Sequence, residues 1–170
     1  MNELSIADRH HIDAAEGWIM LGNAREARLE LGGVSPEAQM HPDALRVWYG
    51  LAAMEGLWSE AHTLAERLVK LQPASTDAWV WRAYALRRMP QGGLKQAWKA
   101  LLPAIEQFPR EWIFPYNLSC YACQLGRLDE ARAYYFKALS LGGTEVRRMA
   151  MEDDDMLPLR GEISDSPNAD

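Results

Sequence analysis

Residues Tyr116–Gly143, YNLSCYACQLGRLDEARAYYFKALSLGG, carry the pattern that decides the fold. Apolar residues recur at helical spacing on both sides of Gly126, and the alternation typical of a strand is absent. A glycine between two such segments can adopt the left-handed conformation that ends one helix and lets the chain reverse. The stretch therefore predicts two helices joined by a tight turn at Gly126.

The same arrangement recurs along the chain. Four glycines are separated by 34, 36 and 34 residues, and an alanine follows each of them after five residues. A small side chain at that position lets two helices cross closely. The pattern predicts four helix pairs. The glycines are Gly22, Gly56, Gly92 and Gly126, and the alanines are Ala27, Ala61, Ala97 and Ala131.

A helix–turn–helix period of about 34 residues resembles that of tetratricopeptide repeats. Residues 116–143 carry most of this likeness, followed by Ala44–Pro73 and Ala78–Pro109. The resemblance implies an all-α fold, a right-handed α-solenoid of antiparallel helix pairs. We predict one domain over residues 1–160, with repeats over 6–40, 42–73, 76–109 and 111–143, a capping helix over 144–157 and a flexible tail over 161–170.

Two repeats depart from the pattern. The third carries two extra residues and Pro90, which predicts a longer turn between its helices. In the first, two glycines and a proline follow Leu31, so the second helix should stop near Leu31. Ser35 is then expected to cap a short turn that leads to the next repeat.

Composition narrows the classes of function. The chain has 170 residues, of which 48% are hydrophobic and 25% charged, with a formal net charge of −6. This acidity disfavours nucleic-acid binding, since a duplex requires a basic face. No apolar stretch is long enough for a bilayer, and the first residues lack the pattern of a signal peptide. We therefore expect a cytoplasmic protein that does not enter the membrane.

The two cysteines, Cys120 and Cys123, raise the question of a metal or redox site. A structural zinc site needs four ligands, and a redox pair normally begins a helix, whereas these cysteines lie late within one. We interpret them as structural or groove-lining thiols and predict no metal and no cofactor. No nucleophile–base or paired-carboxylate arrangement stands out, so we expect no enzymatic activity.

The resemblance also implies that the first helix of each pair lines a concave groove. Helical phase places Ile12, Glu16 and Met20 there in the first repeat. For the later repeats we predict ten partner-binding residues: Arg46, Met54, Val80, Tyr84, Arg87, Arg88, Tyr116, Asn117, Cys120 and Gln124.

This groove predicts a non-catalytic interaction module or scaffold that binds a peptide or protein segment. Because arginine pairs with carboxylates through two hydrogen bonds, the groove arginines favour an acidic partner. It is equally open that they pair with acids of the chain itself. Three alternatives remain: a small acidic chaperone of the secretion-chaperone type, a self-associating structural protein, and a regulatory subunit of an enzyme.

Overall fold

A computed structural model describes residues 3–165, and every regular element in that range is helical. The predicted all-α fold class is confirmed, and several helices that follow one another in the chain pack as pairs. The elements are α1 (Ile6–Met20), α2 (Ala24–Gly32), α3 (Pro42–Met54), α4 (Trp58–Leu71), α5 (Thr76–Arg88), α6 (Leu94–Leu101), α7 (Ala104–Gln107), α8 (Ile113–Gln124), α9 (Leu128–Glu152), a 3₁₀ segment (Asp154–Leu159) and α10 (Arg160–Asp165).

Three of the turns between paired helices have the same geometry. Gly22, Gly56 and Gly126 each have φ of +72°. The residue after each glycine donates its N–H to a carbonyl five positions earlier, as Leu57 does to Ala52 at 2.8 Å. This is the Schellman motif, in which a left-handed glycine ends a helix. The prediction that these glycines reverse the chain is confirmed.

The third connection is longer, as predicted. Five residues separate α5 from α6, against three in each of the other turns. Met89 is extended because it precedes Pro90, which disfavours the helical conformation. The glycine with positive φ is Gly93, at +125°, immediately before α6. The position aligned by the repeat pattern, Gly92, is therefore not the one that carries the left-handed conformation.

The chain divides after Gln91 into two compact units, and the second begins at Gly92. In each unit the alanines of the repeat pattern are fully buried, which agrees with close helix crossings at these positions. The expectation of a single domain stays a prediction. The buried alanines are Ala27 and Ala61 in the first unit, and Ala97 and Ala131 in the second.

A buried carboxylate fixes the loop after α2. The Asp8 side chain accepts hydrogen bonds from Ser35 N at 2.7 Å, from Ser35 Oγ at 3.1 Å and from Ser5 Oγ at 2.6 Å. These bonds, first of all that from Ser5, lower the pKa of Asp8. Helix α2 ends at Gly32, one residue beyond the expected Leu31. The side chain of Ser35 thus binds α1 and does not cap the turn, which corrects the prediction.

In the second unit, the second helix of the third repeat is interrupted. Helix α6 ends at Leu101 and α7 begins at Ala104. Pro103 stands between them, and proline has no N–H to donate to the preceding turn of a helix. This break was not predicted.

The end of the described chain also differs from the prediction. Helix α9 bends at Gly143 (φ +56°, ψ −135°), so it contains both the second helix of the last pair and the capping helix. The capping helix ends at Glu152, not at residue 157, because Asp153 is extended. The 3₁₀ segment and α10 come next and pack on the last helix pair. The predicted tail therefore begins within α10, and residues 166–170 lie outside the described range.

Candidate functional site

An ion pair joins the first helices of the first and second pairs. Arg46 on α3 donates from Nη1 and Nη2 to the two carboxylate oxygens of Glu16 on α1, at 2.5 and 2.9 Å. These hydrogen bonds lower the pKa of Glu16 and raise that of Arg46. Arg46 was predicted to meet a partner. In the structure it pairs with an acid of the chain itself, which was the alternative left open.

Ile12 does not line a groove. Its side chain is 2% exposed and belongs to a cluster with Ala15, Ala27 and Leu31, among others, from α1 and α2. The phase assigned to α1 was wrong at this position, because the face that carries Ile12 packs on the second helix of the pair. Met20, assigned to the same groove, is exposed.

Aromatic packing joins α3 to α5. The rings of Tyr49 and Trp81 stack with centroids 4.9 Å apart, and Tyr49 Oη donates to the Trp81 carbonyl at 3.2 Å. Trp79 points elsewhere and donates from Nε1 to the Pro73 carbonyl at 3.1 Å. The two tryptophans thus serve different contacts, as their spacing requires on a helix.

Tyr84 and Arg88, at the end of α5, lie against Trp58, the first residue of α4. The Arg88 guanidinium carbon is 3.5 Å from the centroid of the Tyr84 ring and 5.4 Å from that of Trp58. The two rings meet edge to face at 5.8 Å. Stacking on aromatic faces suits the planar, delocalised guanidinium. The three side chains form one preorganised cluster at the α3–α4 turn.

An open cavity of about 410 Å³ adjoins this cluster, and we call it the Trp58–Arg88 cavity. Its walls come from the α3–α4 turn, from the first turn of α4 and from the residues at and just after the end of α5. Several wall residues are apolar and accessible, which is typical of surfaces that bind other molecules. The lining residues are Gly56, Leu57, Trp58, Ser59, Glu60, Arg88 and Pro90.

The other predicted residues of α3 and α5 lie outside this lining. Met54, the last residue of α3, is partly exposed just before the turn. Val80 and Arg87 are half-buried, and Arg87 already takes part in an interaction. Their contact with a partner stays a prediction.

In the second unit the predicted groove face of α8 is covered by the chain itself. Tyr116 Oη donates to Asp153 Oδ2 at 2.9 Å, and Gln124 Nε2 donates to the Asp155 carbonyl at 3.2 Å. Tyr116 and Cys120 are each only 3% exposed. The prediction that these two side chains line an accessible groove is therefore corrected.

The covering segment is held by its apolar residues. Met156, Leu159 and Ile163 are almost completely buried. The 3₁₀ segment contacts both helices of the last pair, much as α3 contacts both α1 and α2. Residues 154–165 thus take the place that the first helix of another repeat would occupy, which the repeat pattern could not reveal.

The environment of the cysteines suppresses their reactivity. Both are free thiols and both are buried. Burial raises the pKa of Cys120 well above its usual value, with Asp153 adding to the effect, and raises that of Cys123 to about 11. Thiolates are the reactive and metal-binding form, so neither residue is primed for such chemistry. Within residues 3–165 no three His, Cys, Asp or Glu side chains are arranged to hold a metal ion.

Asn117, the remaining predicted residue, is half-buried. Its Nδ2 donates to the Ile113 carbonyl one turn earlier in α8, at 2.8 Å. The amide is thus used within its own helix in this structure.

Helix pairs joined by glycine turns define an all-α fold of the helical-repeat kind. The solved structures similar to this chain include three of MamA. All three are 19% identical to it. One of them, a point mutant of MamA, has a TM-score of 0.63 over 94% of this chain and 92% of MamA. The MSR-1 protein gives 0.61 over 94% and 96%, and the AMB-1 protein 0.62 over 96% and 95%.

At this level of identity the likeness shows the fold alone. No family model and no curated protein matches the chain. Among the described helices, none combines the length and the apolar character that crossing a bilayer requires.

Sequence reasoning predicted only Arg88 among the residues that line the cavity. It missed the other six: Gly56, Leu57, Trp58, Ser59, Glu60 and Pro90. It assigned binding residues by phase along the first helices, whereas this cavity lies where a turn meets a helix end. One signal was available. Trp58 occupies the second position after a repeat glycine, where the other repeats carry alanine or leucine. A large aromatic residue at that place marks a turn with an additional contact.

Proposed function

We propose that this protein is a non-catalytic interaction module that binds a segment of a partner protein. The observation that carries the proposal is the exposed apolar and cationic surface around the Trp58–Arg88 cavity, set on a scaffold of packed helix pairs. Such a scaffold holds its side chains at fixed spacing before binding, which reduces the ordering cost of association. The likeness in fold to MamA supports the architecture of packed helix pairs on which the proposal rests.

Position-specific cross-linking tests this proposal. A photoreactive phenylalanine derivative placed at Met54, beside the cavity, should cross-link the chain to a partner protein in its native cell. The same residue at Lys70, which is exposed near the other end of α4, serves as the matched control. We expect a discrete cross-linked product at Met54 only. Equal products at both positions, or none at either, would contradict a binding surface at this site.

Self-association is a second candidate, favoured by exposed apolar residues in the first pair. Met20 and Leu21 at the α1–α2 turn are 83% and 75% exposed, and large apolar side chains in such positions are common at interfaces. Light scattering would show a concentration-dependent oligomer that the double variant Met20→Ser, Leu21→Ser no longer forms. A monomer at all concentrations would exclude this candidate.

A further inference from the structure

We propose that the Trp58–Arg88 cavity recognises an acidic side chain flanked by apolar residues in the partner segment. This inference rests on the proposed function and specifies the chemistry of the partner at that site. Three features of the cavity point to this chemistry: an arginine without a carboxylate partner, apolar walls beside it, and a single acidic residue among the lining residues.

The arginine is held in place but is electrostatically unpaired. Within residues 3–165 Arg88 forms no ion pair, and its Nη1 atom is buried without a hydrogen-bond acceptor. Elsewhere in this unit Arg28 pairs with Glu55 and Arg46 with Glu16. Because one face of the guanidinium lies on Tyr84 and Nη1 is buried, an incoming group would approach the part of the guanidinium edge that faces the cavity. A carboxylate matches that edge through two parallel hydrogen bonds.

The rest of the cavity is apolar and accessible. Leu57 is 42% exposed, Pro90 is exposed, and the Trp58 ring forms a wall beside the guanidinium. A volume of about 410 Å³ holds one or two side chains in addition to a carboxylate. An aliphatic or aromatic residue next to the acidic one would cover these walls and remove water from the ion pair, which strengthens it.

The acidic lining residue, Glu60, limits the charge of the ligand. Its carboxylate is exposed at the cavity. A like charge there repels further carboxylates, so the site favours one acidic residue over an acidic run. Removing this charge should tighten binding. A tightening caused by this one lining residue would place the ligand carboxylate at the cavity, whereas a general preference for acidic partners would not.

The experiment uses defined peptides and the full chain. The probe is Gly-Leu-Asp-Leu-Phe-Gly, acetylated at its N-terminus and amidated at its C-terminus, and its twin carries Asn in place of Asp. Binding is followed by NMR at the indole N–H of Trp58 and the Nε–H of Arg88. We expect saturable shifts at both groups with the Asp peptide, and a dissociation constant at least tenfold larger for the Asn twin. This comparison needs no protein variant.

Three variants then test the site residues, with a fourth as control. Arg88→Gln should weaken binding of the Asp peptide at least tenfold, and Arg88→Lys severalfold, since lysine keeps the charge but not the two-pronged geometry. Glu60→Gln should tighten it severalfold. Arg25→Gln removes an exposed charge on α2 that does not line the cavity, and should leave binding unchanged.

Three outcomes would overturn the inference. One is equal binding of the Asp and Asn peptides. Another is unchanged affinity in Arg88→Gln with helicity intact. The last is binding as tight or tighter by the Asn peptide with a free C-terminal carboxylate, which would assign the site to chain ends. If cross-linking at Met54 still yields a partner, only this chemistry fails. If cross-linking fails as well, the proposed function fails with it.

Discussion

The end of α5 in the first unit and the face of α8 in the second occupy comparable places in their repeats. They differ in exposure, since the first is accessible and the second is covered. Tyr84 and Arg88 adjoin an open cavity, whereas Tyr116 and Cys120 are buried beneath the chain's own residues 153–163. The helical phase of a residue within its repeat therefore does not by itself predict whether that residue is accessible to a partner. Contacts from later segments of the chain decide whether such a surface is buried or stays accessible.

Truncating Met156 should have the largest effect on this comparison. The side chain is completely buried, so Met156→Ala should lower the free energy of unfolding by about 2–5 kcal/mol. The matched change at the open cavity, Leu57→Ala, should stay within about 0.5 kcal/mol because Leu57 is already accessible. Urea denaturation measures both. A loss below about 1 kcal/mol in Met156→Ala would mean that the covering segment is not part of the core.

Enlarging the repeat alanines tests whether both units share one helix-crossing geometry. Ala61→Leu and Ala131→Leu should each destabilise the protein by about 1–3 kcal/mol, since neither site has room for a larger side chain. Ala133→Leu, on the same helix as Ala131 but not fully buried, is the control and should be nearly neutral. Thermal melting monitored by circular dichroism reports all three. Tolerance at one repeat alanine but not the other would show that the two crossings differ.

The glycine turns should respond alike in the two units. Gly56→Ala and Gly126→Ala each place a Cβ on a residue with φ of +72°, which costs about 1–2 kcal/mol. Gly17 lies within α1 with open space around it, so Gly17→Ala should be neutral or stabilising by up to about 1 kcal/mol. Chemical denaturation gives the three values. Losses at the two turns that differ by more than about 1 kcal/mol would break the equivalence.

Cysteine labelling can show how firmly the α8 face is covered. Because burial and Asp153 keep the pKa of Cys120 high, the native protein should react very slowly with thiol reagents at pH 8. Tyr116→Phe removes the hydrogen bond to Asp153 and should cost about 1 kcal/mol, with labelling of Cys120 accelerated severalfold. The parallel change Tyr84→Phe should leave that rate unchanged. Rapid labelling of the unaltered protein would mean that the face is open in solution.

The Glu16–Arg46 pair should give the smallest effect. Its hydrogen bonds lower the folded-state pKa of Glu16, so the stabilisation is present above the unfolded pKa, near 4.5, and is lost as pH falls through the lower folded value. Since both side chains are about two-fifths exposed, Glu16→Gln should cost only about 0.5 kcal/mol at pH 7. It should also reduce the loss of stability below pH 4.5. An unchanged acid profile would argue against the pair.

The sequence was most informative where local chemistry alone sets the structure. The repeat glycines needed a left-handed conformation and the repeat alanines needed a close crossing, and both requirements are visible as fixed spacings. The break at Pro103 could have been inferred from the missing N–H of proline. It was not predicted because the repeat pattern implies one continuous second helix in each pair. The longer turn before α6 was predicted, yet Pro90 shifted the left-handed position from Gly92 to Gly93.

Contacts between distant parts of the chain account for the site residues that could not be predicted. Nothing in the repeat of Tyr116 shows that Asp153 and Met156 return to cover it. Arg46 and Glu16 were both assigned to the groove, but whether they would bind each other or a partner depends on the separation of α1 and α3. Tyr84 and Arg88 were placed on the right helix, while their partner Trp58 lies on a different element.

The three identical Schellman turns have a consequence for the evolution of the chain. Since Gly22, Gly56 and Gly126 end their helices with the same backbone bonds, a unit of about 34 residues can be duplicated or lost without inventing a new connection. The segment after Glu152 already packs on both helices of the last pair, so a repeat added there would have to displace it.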